Sequence, residues 1–140
     1  MDDKKFSEMG KQVLEAQSFS QLIGAKLQKF EPGEVVLEIP IKDNLLQQHK
    51  FVHGGVVSYV ADNALTFVGG SVLGPEVLTS EYKINYVRPA ISEKLVARAS
   101  VLYFGKRQAV CRCDVFAQGS DGEEKMCATS QGTIMVVTSQ

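Results

Sequence analysis

The chain has 140 residues, of which 44% are hydrophobic and 22% are charged, and its formal net charge is -1. This composition predicts one globular domain over residues 1–140, large enough to bury a core without metal ions or disulfides. It excludes the strongly basic balance with which proteins attract nucleic acid or an anionic membrane surface.

The N-terminus and the cysteines predict a cytoplasmic protein. The first residues, Met-Asp-Asp-Lys-Lys, lack the apolar segment of a secretion signal, and we expect no apolar run long enough to span a bilayer. The cysteines are three in number, without the spacing of a disulfide framework, which is typical of a reducing compartment (Cys111, Cys113, Cys127). We therefore expect neither a membrane nor nucleic acid among the partners.

Residues 1–24 form a predicted helical lead-in. Apolar side chains recur there at three- and four-residue spacing, as on one face of a helix (Phe6, Met9, Val13, Leu14). A short second helix is predicted over 18–24, where a serine would cap the start and a glycine would end it. Two strands follow, over 26–30 and 35–39, with the turn signal Pro32-Gly33 between them.

The most apolar stretch of the chain predicts a central helix from Gly54 to about Val68, after a loop over 41–52. Apolar residues are expected all the way round this helix, which is typical of a helix buried on every side. One sheet from a short chain covers only part of such a helix. We therefore expect a second copy of the chain, or the N-terminal helix, to cover the rest.

The remainder of the chain reads as strands. The first strand, over 78–86, has a predicted buried face made of alternate residues (Leu78, Ser80, Tyr82, Ile84, Tyr86). A hairpin over 95–104 and 108–118 and a last strand over about 125–137 follow. The order of helix, two strands, long helix and four strands predicts an α+β fold with an antiparallel sheet.

The sequence His53-Gly54-Gly55 opens the central helix. The first N–H groups of a helix lack partners within it and carry the positive end of its dipole. Two glycines let a ligand approach this backbone closely. The motif predicts a site for an anion, or for a carbonyl oxygen that becomes one, although a Gly-Gly pair alone also fits a tight turn.

Asp62 is the one charged residue in the predicted central helix. Burying an ionised carboxylate is costly unless it is paired or has a task, so Asp62 is a candidate for chemistry. It follows His53 by about two and a half helical turns. Two copies packed antiparallel along this helix would bring Asp62 of one towards Gly54 of the other. The alternative is an aspartate on a polar stripe with Asn63 and Thr66.

Other polar residues allow both functional and structural interpretations. The hydroxyl of Ser80 would position water or a carboxylate, or would simply bond to the backbone. Gln47 is a loop amide that solvent would also accommodate. The two histidines are too few for a typical zinc site, so we expect no metal. Cys111 and Cys113 share one face of a strand, where buried thiols acting as small hydrophobes are favoured over a metal or redox site.

The spacing of Gln47, His53-Gly54-Gly55, Asp62 and Ser80 resembles that of the hotdog-fold acyl-CoA thioesterases of the PaaI type. The resemblance covers about residues 20–137. It implies a long helix wrapped by a curved antiparallel sheet, and a homodimer, itself paired as a dimer of dimers, with active sites at the dimer interface. It also implies that acyl-CoA is the substrate and that no cofactor is needed.

The resemblance assigns roles by position. Asp62 would be the nucleophile or general base, and the N–H of Gly54 would polarise the thioester carbonyl group. His53 would hold the helix start. Gln47 would hold the carbonyl oxygen or the attacking water, and Ser80 would orient that water.

The resemblance further implies substrate contacts from Gly55 and Thr66. The phosphates of CoA need cations, for which three basic residues at strand ends are candidates or, equally, ordinary surface charges (Arg88, Lys106, Arg107). One departure concerns the residue three before His53, which is often glycine in this family and is Lys50 here.

Two other functions fit the same residues. A binding module with this fold would hold acyl-CoA without releasing the thiol, and it would not need Asp62. A dehydratase acting on a 3-hydroxyacyl thioester would also use a histidine and an acid, but it would leave the thioester intact. The spacing from His53 to Asp62 favours the thioesterase.

Overall fold

A six-stranded antiparallel sheet packs against one long helix in the structure, a computed structural model that describes residues 2–137. The helices are α1 (Asp3–Glu15), α2 (Ser18–Ile23) and α3 (Gly54–Leu73). The strands are β1 (Lys26–Glu31), β2 (Glu34–Pro40), β3 (Val77–Tyr86), β4 (Lys94–Phe104), β5 (Gln108–Gln118) and β6 (Glu124–Val136). They pair in the order β1-β2-β4-β5-β6-β3, so β1 and β3 are the edges. The predicted α+β architecture is confirmed.

The predicted strands agree with the observed strands to within one residue at every end. Turn signals fix these ends, because proline cannot donate to a sheet and glycine adopts the backbone angles of tight turns. Pro40 is the last residue of β2, and Gly33, with a φ of 84°, lies in the turn between β1 and β2.

Helix α3 is longer than predicted, because it continues past Gly69-Gly70 to Leu73. A Cβ atom at Gly69 would lie 2.6 Å from the Ile134 side chain of β6. This glycine therefore serves the close packing of the helix on the sheet and does not end the helix. The helix ends at Gly74, whose φ of 104° favours glycine, and Pro75 follows.

One side of α3 is buried against the sheet, and the opposite side carries half-buried, mostly polar residues (Ser58, Tyr59, Asp62, Asn63, Thr66). These residues recur at three- and four-residue spacing, and we call them the outer stripe. The prediction of apolar residues all the way round this helix is therefore wrong, whereas the sheet covers only part of the helix, as expected. The alternative interpretation, in which Asp62 shares a polar stripe with Asn63 and Thr66, describes the placement correctly.

By length and composition α3 is apolar enough to cross a membrane, contrary to the expectation that no run is long enough. In the structure half of its apolar window is buried inside the fold. The core helices of soluble proteins pass the same test, so the length of α3 is weak evidence for a membrane span.

Strand β3 buries only part of the predicted face, at Tyr82 and Ile84. A bulge between Thr79 and Glu81 adds Ser80 as an extra residue and shifts the alternation of faces by one. Three residues that were predicted to be buried are exposed (Leu78, Ser80, Tyr86). The half-buried residues of β3 lie on either side of the bulge (Val77, Thr79, Tyr82, Ile84).

Helices α1 and α2 cover part of the core and part of α3. On α1, the ring of Phe6 stacks on that of Phe30 in β1 with centroids 4.6 Å apart. From α3, the Tyr59 hydroxyl donates to Ser20 Oγ of α2 at 2.6 Å, and Asn63 donates to Gln17 Oε1 at 3.2 Å. The N-terminal helices are thus one cover of α3, and they leave Asp62 half-buried.

The two adjacent glycines of α3 provide a matched test of this packing. At Gly69 a Cβ atom would meet Ile134 at 2.6 Å, whereas at Gly70 it would meet only Val77, at 3.4 Å. We expect Gly69→Ala to destabilise the fold by about 1–3 kcal/mol through overpacking. Gly70→Ala should be neutral or stabilising by up to about 1 kcal/mol, because alanine favours a helix. Urea unfolding at one protein concentration measures both, and equal effects would contradict the packing described.

Candidate active site

Asp62 is positioned by a threonine of the neighbouring strand. Thr79 Oγ1 of β3 donates a hydrogen bond to Asp62 Oδ1 at 2.7 Å. A hydrogen bond to an ionised carboxylate is stronger than one between neutral groups. Within residues 2–137, Thr79 is the one donor to this carboxylate. Oδ2 is therefore the oxygen left for a ligand or for water.

A second threonine, Thr66, completes a small hydroxyl network around Asp62. Thr66 Oγ1 lies 2.8 Å from Thr79 Oγ1 and 2.9 Å from the backbone carbonyl oxygen of Asp62. Each hydroxyl has one proton, so Thr66 donates either to Thr79 or to that carbonyl oxygen. Because Thr79 gives its proton to the Asp62 carboxylate, Thr66 is the donor whenever the two threonines are hydrogen-bonded to each other.

The start of α3 presents an exposed amide. His53 is the N-cap, and its ring Nδ1 accepts a hydrogen bond from the Gly55 N–H at 2.8 Å. The Tyr86 hydroxyl, at the end of β3, donates to the Gly54 carbonyl oxygen at 3.3 Å. No acceptor for the Gly54 N–H lies within residues 2–137. This amide is available to an anion or a carbonyl oxygen at the positive end of the helix dipole.

Gln47 is held with its amide nitrogen available. Its Oε1 accepts hydrogen bonds from the backbone N–H groups of His49 and Phe51. These bonds close the loop before α3 and engage the oxygen, which leaves Nε2 as a donor. Lys50, at the position that is often glycine in the PaaI-type family, has a φ of 70°, a left-handed conformation that glycine adopts more readily.

A groove of about 410 Å³ runs beside the start of α3. Its walls include Gln47, Gly54, Tyr86 and Arg88. Arg88 is therefore the one candidate phosphate-binding residue that a single protomer brings next to Gly54.

The other two candidate cations, Lys106 and Arg107, lie in the β4–β5 turn, at the same end of the sheet as the start of β3 but separated from β3 by β6. Tyr86, which contacts Gly54, is at the opposite end of β3. The stretch from Leu78 to Tyr86 spans about 26 Å in an extended strand. A single protomer does not bring these two cations to Gly54.

Gly54 and Asp62 are also separated, because both belong to the rigid helix α3. At 1.5 Å per residue, their Cα atoms are about 12 Å apart along the axis and rotated by about 80° around it. A group as small as a carbonyl carbon and its oxygen does not contact both residues within one protomer.

The buried cysteines are not competing nucleophiles. Burial raises the pKa of Cys111 and of Cys127 to about 11, and burial also raises the pKa of Cys113. Thiols with such pKa values are protonated near neutral pH, and only the thiolate is a good nucleophile. In the described part of the chain, no group of three His, Cys, Asp or Glu side chains lies close enough together to hold a metal ion.

Thr79 is the site residue that the sequence did not reveal. The expected alternation directed Ser80 towards the helix, but the bulge turns Thr79 inward and leaves Ser80 exposed. Neither proline nor glycine marks this bulge in the sequence. The one signal available was the second, equally regular set of alternate residues in the strand, to which Val77 and Thr79 belong.

Comparisons with known proteins agree on the family. The family model of the thioesterase superfamily matches residues 49–123, which is more than half of the chain and includes His53, Gly54 and Asp62. A 1,4-dihydroxy-2-naphthoyl-CoA hydrolase of Listeria monocytogenes is 24% identical over 118 residues, which cover 83% of this chain and 93% of that relative.

Solved structures share the fold. A thioesterase family protein from Silicibacter pomeroyi superposes with a TM-score of 0.89 and 33% identity, over 96% of this chain and 99% of its own. The PaaI protein of E. coli has a TM-score of 0.80 at 20% identity, over 96% of this chain and 98% of its own, a likeness of fold. The predicted hotdog fold and the resemblance to the PaaI type are confirmed, and the chain belongs to the thioesterase superfamily.

Proposed function

We propose that this protein hydrolyses acyl-CoA thioesters to a free acid and CoA. The observation that supports this most directly is the half-buried Asp62 carboxylate, oriented by Thr79 through one oxygen with the other oxygen available. Thioester hydrolysis needs a group that attacks the carbonyl carbon or activates water. It also needs donors for the negative charge that develops on the carbonyl oxygen, and the Gly54 N–H and Gln47 Nε2 are suitable donors.

The reaction consumes one water and breaks the C–S bond. Asp62 either attacks the carbonyl carbon, forming an anhydride that water then hydrolyses, or takes a proton from the attacking water. In both cases CoA leaves as the thiolate, which is then protonated, and the acyl group leaves as the acid. The proposed orientation of the water by Ser80 depends on the second copy, because the bulge leaves Ser80 exposed while Thr79 faces Asp62.

Two copies of the chain are proposed to form each active site. Within one protomer Gly54 and Asp62 are about 12 Å apart along the helix, too far to act on one carbonyl group. The outer stripe, which includes Asp62, lies on the side of α3 that the sheet of the same chain does not cover. Antiparallel packing of two such helices would direct Asp62 of one copy to the Gly54 amide of the other, and would do so twice by symmetry.

The free edge of β3 supports this arrangement. β3 ends the sheet, so one row of its backbone N–H and C=O groups has no strand beside it within residues 2–137. Such an edge is ready to pair with another strand, and a second copy of β3 would pair by a two-fold axis. The start of β3 in one copy would then lie beside its end in the other. We propose a homodimer of this form, paired again as a dimer of dimers.

This dimer would also bring the three candidate phosphate-binding residues closer together. Lys106 and Arg107 of one copy lie at the end of the sheet where β3 begins, one strand in from the edge, and their long side chains would extend towards the groove of the other copy, whose wall includes Arg88 and Gly54. Gly55 and Thr66 are the proposed contacts closer to the thioester. The CoA hydrolase named among the relatives supports CoA as the carrier. The free cysteines support a cytoplasmic setting, and the proposed chemistry uses no cofactor.

Replacing Asp62 tests the proposed function. We expect Asp62→Asn to keep the fold and the assembly and to lose roughly 10²- to 10⁴-fold in kcat, because an amide neither attacks nor accepts the proton. Thiol release from a panel of aryl, short and long acyl-CoAs measures this loss.

A matched control for Asp62→Asn is available on the outer face of the sheet. Asp114 accepts a hydrogen bond from Thr129 at 2.6 Å, as Asp62 does from Thr79. Asp114→Asn should retain turnover. Full activity of Asp62→Asn would remove the proposed role, and tight acyl-CoA binding without thiol release by the unaltered protein would favour a binding module.

Replacing Gly54 tests the amide. Gly54 is the first residue of α3, a position where proline fits a helix, and the preceding His53 has an extended ψ of 134° that proline tolerates. Gly54→Pro therefore deletes the N–H with the helix intact, and we expect a loss of about 3 kcal/mol of barrier, roughly 100-fold in kcat or more. Gly54→Ala keeps the N–H, and its Cβ would lie 3.7 Å from Tyr86, an ordinary contact. If alanine and proline caused equal losses, the amide would have no such role.

Replacing Thr79 tests the positioning of Asp62. Thr79→Val removes the hydroxyl with little change of shape, and a hydrogen bond to a charged group is worth about 1.5–3 kcal/mol. We expect kcat to fall about 10- to 100-fold with a smaller change in KM, and Thr79→Ser to restore much of the loss. Thr129→Val, which removes the matched bond to Asp114, is the control. Unchanged kcat in Thr79→Val would leave Asp62 without the proposed support.

A further inference from the structure

A cavity of about 230 Å³ lies between the N-terminal helix α1 and the second half of α3. It is separate from the groove at the start of α3, and the two share no lining residue. Its walls come from α1, from β1, from α3 and from the start of β3 (Met9, Val13, Phe30, Thr66, Phe67, Val77).

The lining of this cavity is apolar in effect. None of the residues that line it carries a charge. Most of its polar side-chain atoms are engaged inside the protein: Gln17 Oε1 accepts from Ser20 Oγ, and Ser71 Oγ accepts from the Gly33 N–H at 2.9 Å and donates to a backbone carbonyl oxygen, so that Gln17 Nε2 is the donor left without a partner within residues 2–137. A ligand would find few free hydrogen-bonding groups there. The cavity therefore suits an uncharged, apolar group.

The cavity is connected to the proposed catalytic carboxylate. Thr66 is part of its wall and lies 2.8 Å from Thr79, which in turn donates to Asp62 at 2.7 Å. Val77, two residues before Thr79, is part of the same wall. A group that enters the cavity past Thr66 would therefore have its polar end beside Asp62.

We propose that this cavity binds the acyl tail of the thioester and that Val13 and Met9 of α1 set the length of tail that is accepted. The inference rests on the proposed function and adds its substrate class, an uncharged acyl group of medium length or one with a phenyl ring. The size supports this, because a protein cavity of about 150 Å³ is enough for benzene. A cavity of about 230 Å³ leaves room for a few further carbons.

The lead-in helix thereby becomes a specificity element. Val13 is 43% exposed at the rim, so a larger side chain there has space to be accommodated without disturbing the core. Each methylene that enters an apolar site raises binding roughly fourfold, and often more. We expect kcat/KM of the unaltered protein to rise by about this factor per methylene until the tail has about eight carbons, and then to level off.

The test compares Val13→Trp, which narrows the rim, with Leu22→Trp as a matched control. Leu22 is 73% exposed on α2 and does not line the cavity. In Val13→Trp the ratio of kcat/KM for octanoyl-CoA to that for acetyl-CoA should fall about tenfold or more. In Val13→Ala, kcat/KM should continue to rise with tail length beyond the length at which the unaltered protein levels off. Leu22→Trp should keep the ratio of the unaltered protein.

Equilibrium binding separates failure of this proposal from failure of the proposed function. The S-octyl thioether of CoA cannot be hydrolysed, and calorimetry gives the factor by which it binds more tightly than CoA itself. Loss of that factor in Val13→Trp supports the cavity as the acyl site even if no thioester is hydrolysed. The proposal would be overturned if Val13→Trp changed neither the preference for the S-octyl thioether over CoA nor the ratio of kcat/KM for octanoyl-CoA to that for acetyl-CoA. A change confined to the oligomeric state in light scattering would also overturn it, because that result would assign the cavity to a contact between copies.

Discussion

One rigid helix carries both an exposed amide and a held carboxylate, about 12 Å apart along its axis. This separation determines how the proposed active site can be assembled. A helix does not bend to bring its first residue to its third turn, so neither residue completes a site with the other in the same chain. Two such helices that run in opposite directions would place Asp62 of each copy at the Gly54 amide of the other copy, and so would form two sites. The proposed chemistry therefore requires the proposed dimer, because of the spacing of Gly54 and Asp62.

The packing of the fold keeps these two groups in place. Gly69 packs closely on Ile134, which fixes the distance between the helix and the sheet. The Tyr86 hydroxyl donates a hydrogen bond from the end of β3 to the Gly54 carbonyl oxygen. The same strand supplies Thr79 to Asp62. β3 is therefore the element that positions both ends of the proposed site, while its outer edge stays available to a second copy.

The sequence was sufficient for much of this structure, for identifiable reasons. Proline and glycine marked the strand ends, and the apolar run marked the central helix. The bulge at Ser80 was not predictable, because alternation is a local rule and a bulge is set by how β3 pairs with β6. The polar outer stripe was predicted only as an alternative and without Ser58 and Tyr59, because serine and tyrosine among many apolar residues do not show which side of a helix faces the sheet. The roles of the site residues stay predictions.

Mixing two inactive variants tests whether each active site is shared between two copies. Asp62→Asn and Gly54→Pro chains, refolded together in equal amounts, form hybrid dimers. If each site takes Asp62 from one copy and Gly54 from the other, every hybrid regains one intact site, and the mixture should reach about a quarter of the unaltered activity. Differently tagged chains verify that hybrids form. A mixture that contains hybrids and is no more active than its two parents would contradict the account.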